Sequence, residues 1–86
     1  MSIIYEPEYR LLIECLKESR LHSKMTQQEL AMHLGCSQAY ISKYEQGQKR
    51  LDIIEVRNIC HCLGITLPDI INQFEERLKK EGINNG

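Results

Sequence analysis

The chain has 86 residues, of which 42% are hydrophobic and 27% charged, and its formal net charge is -1. These values describe one small globular domain that removes only about 60–65% of its unfolded surface from water and needs no cofactor to fold. They exclude a protein that holds nucleic acid by bulk positive charge, so any grip on a polyanion has to come from where the charges sit. The opening MSIIYEPEYR carries no basic n-region, and nowhere do about 18 apolar residues follow one another. Neither a secretory leader nor a membrane span is expected, and the expected location is cytoplasmic.

Helical periodicity accounts for most of the chain. Residues 1–6 read as an N-terminal arm. Pro7 suits a helix start, where its missing N–H costs nothing, and a first helix is expected from Pro7 to His22 with Leu12, Cys15 and Leu16 toward one side. Thr26 offers an N-cap oxygen and Glu29 completes a capping box. Leu30, Ala31 and Leu34 form the buried stripe of this second helix, which Gly35 ends with a positive φ. Ser37 caps a third, Gln38 to about Glu45, with Ile41 and Tyr44 inward and Gly47 at its end. Asp52 and Glu55 frame a fourth, whose apolar face is Ile53, Val56, Ile59, Cys60 and Leu63, up to Gly64. Thr66, Pro68 and Asp69 open a fifth that reaches about Lys80. The reading is all-α, one five-helix domain over 7–81, with 82–86 as a frayed tail.

Cys15, Cys36, Cys60 and Cys62 fall at irregular intervals without a CxxC pair. Cys60 and Cys62 lie two apart on a helix, where side chains point to different faces and cannot share an ion. Buried, reduced thiols are expected, and no metal. His22, His33 and His61 are scattered and read as ordinary surface or core residues.

The second and third helices, joined through a small turn, meet what a helix-turn-helix requires: a small Ala31 at the crossing, Gly35 in the turn and Ile41 as anchor. With Thr26-Gln27, Glu29-Leu30-Ala31, Gly35, Ser37, Ile41, the run Tyr44-Glu45-Gln46-Gly47 and Arg20 upstream, the chain closely resembles the Cro/C1-type helix-turn-helix family of phage repressors, Xre-like regulators and restriction-modification controller proteins. The resemblance covers roughly Leu12 to Leu67. It implies a compact lambda-repressor-like bundle that binds double-stranded DNA, with the third helix in the major groove.

On that resemblance Ser37, Gln38, Ala39, Ser42 and Lys43 are the positions that read bases. A glutamine amide such as that of Gln38 can pair with both N6 and N7 of adenine, and Ala39 can meet a thymine methyl. Gln27, Gln46, Gln48, Lys49 and Arg50 are expected on phosphates. Tyr40 is open between stacking on a sugar-phosphate edge and packing on the second helix. The resemblance pairs Glu45 with Arg20 inside the fold. From Thr26 to Arg50 three basic residues meet two acidic ones, whereas from Leu51 to Gly86 four meet six. The segment expected near DNA is therefore locally positive.

Leu67, Ile70, Ile71, Phe74 and Leu78 make a narrow apolar stripe on the fifth helix. It can be core, or it can also pair with a second subunit; Ile3, Ile4 and Tyr5 are candidates to extend it. A homodimer on an inverted repeat is the preferred reading, since one reading helix recognises too few base pairs to define a site. The function expected is a sequence-specific transcriptional regulator. Its rival is a protein-interaction module on the same fold, such as an antitoxin. No nucleophile-base set, metal cluster or phosphate loop suggests an enzyme.

Overall fold

The computed structural model describes residues 6–82. The arm expected over 1–6, Glu6 excepted, lies outside them, as do Ile3, Ile4 and Tyr5 and most of the expected tail. Among the described residues there are five helices and no strand: α1 Pro7–His22, α2 Gln27–Leu34, α3 Gln38–Glu45, α4 Ile53–Cys62 and α5 Leu67–Lys80. None is long and apolar enough to cross a membrane.

Local chemistry sets most helix ends. Thr26, Asp52 and Thr66 each accept a hydrogen bond from the backbone N–H three residues on, and Glu29, Glu55 and Asp69 each accept one from the cap residue's own N–H. Each box satisfies two donors that the first turn leaves without a partner. Ser37 caps α3 from the Tyr40 N–H alone. Between α2 and α3 the Gly35 N–H reaches Met32 and the Cys36 N–H reaches Ala31, which closes the turn. A Cβ on Gly35 would meet nothing within 4 Å, so its φ of 73° and not crowding is what calls for glycine. At the end of α1 the same left-handed conformation falls on Lys24, with φ 58°, where a side chain costs about 1–2 kcal/mol.

Helix α1 packs on α3 and α5, α2 on α3 and α4, and α4 on α5. Leu16, Leu30, Ile41, Tyr44, Ile59 and Ile70 are fully buried where these helices meet. Each such side chain contributes about 1.5–3 kcal/mol by leaving water. Two expectations change here. Ile53 was placed on the inward face of α4, but the whole first turn from Asp52 to Ile54 is exposed and the buried row begins at Val56. Of the four cysteines, all free, Cys15 and Cys60 are buried while Cys36 and Cys62 are half-buried at the core's edge. Burial pushes the Cys60 thiol up to about 11.

Tyr44 carries a fault in this core. Its hydroxyl is buried with no hydrogen-bond partner among the described residues, and burial pushes its pKa up. An unpaired buried hydroxyl costs about 1–3 kcal/mol. Tyr44→Phe, which keeps the ring, is expected to hold or raise stability by up to about 1 kcal/mol. A fall in the thermal midpoint would show that the hydroxyl has a partner after all.

Candidate nucleic-acid interface

Helix α3 is half inside and half outside. Ile41 and Tyr44 fix it in the core, which turns Gln38, Ala39 and Lys43 to solvent and leaves Ser42 half-buried beside them. Ser37, also exposed, spends its hydroxyl oxygen on the helix cap, and Ser42 Oγ accepts from Gln46 Nε2 at 3.1 Å. The base-reading candidates therefore lie along one accessible side of one helix.

Gln27, at the first position of α2, sits against that helix. Its Nε2 donates to Glu45 Oε1 at 2.9 Å, and its Oε1 accepts from Gln38 Nε2 at 3.3 Å. Behind it lies the buried pair. Arg20 Nε donates to Glu45 Oε2 at 2.7 Å, Nη2 to Oε1 at 3.0 Å, and Nη1 to the Met25 carbonyl at 2.8 Å. The two side chains are 7% and 2% exposed, so this fork joins α1, the loop before α2 and the end of α3 away from solvent.

On the other side of α3 lies the segment from Gln46 to Arg50. Gln46 and Gln48 are exposed there. Lys49 Nζ is 3.6 Å from Glu55 and sits 5.4 Å from the centre of the Tyr40 ring; Arg50 Nη1 donates to Glu6 at 2.8 Å and its guanidinium lies over Tyr9. The local positive charge is thus smaller than a count along the chain implies. Both pairs are well exposed, and such pairs contribute at most about 1 kcal/mol, so a phosphate can compete for either cation. Tyr40 is half-buried and its hydroxyl donates to Glu55 at 2.8 Å; burial, and then this acidic partner, raise its pKa.

Tyr9 is the residue that sequence reasoning missed. Its hydroxyl donates to the Lys49 carbonyl and accepts from the Leu51 N–H, both at 2.9 Å, which straps the segment after α3 to α1. A signal existed. Tyr9, Ile13, Leu16 and Arg20 fall on one helical row, and a tyrosine on a buried row needs a partner for its hydroxyl.

On α5 the stripe divides. Ile70 is fully buried within the chain and so belongs to the core, not to a surface for a second subunit. Leu67, Ile71, Phe74 and Leu78 are half-buried. Phe74 lines an open groove with Leu12, Tyr9 and Arg50. Among the described residues no group of three or more His, Cys, Asp or Glu could hold a metal ion.

Residues 16–70 match a family model described as helix-turn-helix. A protein of Methanococcoides burtonii named as an HTH-type transcriptional regulator is 38% identical over 68 residues, 76% of this chain but 21% of that one, so the chain spans about a fifth of the length of that relative. An XRE-family like protein from Pseudomonas syringae is 34% identical, covering 81% of this chain and 85% of that one, with a TM-score of 0.76. The restriction-modification controller protein C.Esp1396I superposes with a TM-score of 0.79 over 85% of this chain and 96% of its own, at 22% identity, a likeness of fold alone.

Proposed function

Because the chain belongs to the Cro/C1-type helix-turn-helix family, we propose that it is a transcriptional regulator that binds an inverted-repeat operator as a homodimer, with α3 of each subunit in the major groove. The observation that carries this is the placement of α3. Ile41 and Tyr44 lock one side of it into the core, while Gln38, Ala39 and Lys43 are exposed to solvent on the other. Gln27 flanks that row on one side and the segment from Gln46 to Arg50 on the other, where phosphates would lie.

A symmetric dimer sets two reading helices about 34 Å apart, one turn of B-DNA. The apolar residues of α5 that stay half-buried, Leu67, Ile71, Phe74 and Leu78, support its self-association. Occupancy of the operator then follows protein concentration through the dimer equilibrium. The relative from M. burtonii, named as an HTH-type transcriptional regulator, agrees with such a role.

The test is selection of random duplex DNA by the purified protein, with sedimentation to give its association state. Enrichment of an inverted repeat with half-site centres one helical turn apart is the expected result. Weak, salt-sensitive binding with no enriched sequence would end the reading and point to a protein partner instead.

A further inference from the structure

We infer that Cys36 and Cys62 form a modification site: a small-molecule disulfide oxidises the two thiols to one S–S bond within the chain, which clasps the turn between α2 and α3 to the end of α4. The observation is that two half-buried thiols from different elements lie at the edge of the core, while the other two are sealed inside it. The clasp does not depend on what α3 binds.

Cys36 sits in the turn between α2 and α3, where its N–H reaches the Ala31 carbonyl at 3.0 Å. Cys62 is the last residue of α4, the helix on which α2 packs. Burial pushes the Cys36 thiol up, and the nearness of Cys62 pushes it further, since two thiolates side by side repel. A charge on Cys36 is felt in the same way at Tyr40 and Tyr44, which places its sulfur beside α3 as well. Cys15 and Cys60, at 1% and 0% exposure, are closed to a reagent. Neither Cys36 nor Cys62 has helix on both sides, so the backbone at each can adjust to the Cα separation of about 4.4–6.8 Å that a disulfide needs.

One protein thiol gives up its proton and its thiolate attacks a sulfur of the small disulfide; that S–S bond breaks and one small thiol leaves. The second protein thiol, deprotonated in turn, attacks the sulfur so capped, the Cys36–Cys62 bond forms and the second small thiol leaves. Two electrons pass from the protein to the reagent, and the two protons end on the departing thiols. Burial raises both protein thiols, so little thiolate is present at neutral pH and the exchange is slow to begin. The same raised thiols are poor leaving groups, so the bond once made resists reduction. It closes a loop that holds all of α3 and all of α4 but its last residue, and closing a loop of about 25 residues removes freedom from the unfolded chain.

The experiment incubates the whole chain with oxidised glutathione at mildly alkaline pH, unfolds it, alkylates the remaining thiols and maps the tryptic peptides by mass, with fragmentation to tell Cys62 from Cys60. The expected result is one joined pair of peptides, linked through Cys36 and Cys62, with Cys15 and Cys60 alkylated. The thermal midpoint of the oxidised protein should rise by about 10 °C or more and fall back once dithiothreitol has reduced the bond. Cys36→Ala and Cys62→Ala should each abolish both effects. Glutathione held on both residues with no bridge between them, a bridge to a second copy, a bridge through Cys15 or Cys60, or four free thiols after prolonged oxidation would each overturn the inference. A Cys36–Cys62 bridge that fails to raise the midpoint would overturn the clasp.

Discussion

Arg20→Met is expected to lower the free energy of unfolding by about 3–5 kcal/mol, a large share of the roughly 5–15 kcal/mol available to a domain of this kind. The arginine supplies three hydrogen bonds from a side chain 7% exposed, two of them to a carboxylate that is itself 2% exposed. Without it, Glu45 keeps only the Gln27 amide. A charge so buried must either stay ionised with one hydrogen bond or take up a proton, and both cost free energy. Arg20→Met combined with Glu45→Leu removes both charges and should recover much of the loss. Urea melts of the two single variants and the double variant make the comparison. A single replacement that costs less than about 1 kcal/mol would mean that water screens the pair.

Gln38→Ala is expected to weaken binding to the selected operator by about 5- to 150-fold per half-site while leaving nonspecific binding nearly unchanged. The exposed amide contributes nothing to the core, so its removal leaves the fold intact. It also carries no charge, so the dependence of affinity on salt should keep its slope. Lys43→Ala or Arg50→Ala, if on a phosphate, would instead reduce that slope by about one unit and weaken all sequences alike. Titrations of operator and scrambled duplexes at two salt concentrations separate these cases. An equal loss on both duplexes would show that Gln38 does not read a base.

Much of the fold was legible because helix ends are decided within a few residues. Thr26 with Glu29, and Asp52 with Glu55, announce their helices before any tertiary contact forms. Lys24 was not legible, since nothing local marks a lysine for a left-handed backbone. Ile53 continues the apolar row of α4 in sequence, yet that turn is exposed to solvent. Periodicity shows which side of a helix is apolar, not how far along it the core extends. Ile70 shows the converse, an apolar residue on a stripe whose deepest member is already claimed by its own chain.

By itself the sequence determined the five helices, their caps, the helix-turn-helix and the row Gln38, Ala39, Ser42, Lys43 that α3 offers outward, because all of these depend on neighbours within one or two turns. Only the tertiary structure decided what holds the elements around α3 in place. Tyr9 meets Lys49 across 40 positions, Arg50 meets Glu6 across 44 and Gln38 meets Gln27 across 11, whereas the Arg20–Glu45 pair was already implied by the family resemblance. Hydrogen bonds and ion pairs of this kind need two side chains brought within about 3 Å, with donor facing acceptor. Side-chain type along a chain states what each partner can offer, and the packing of α1, α2 and α3 selects which offers are met.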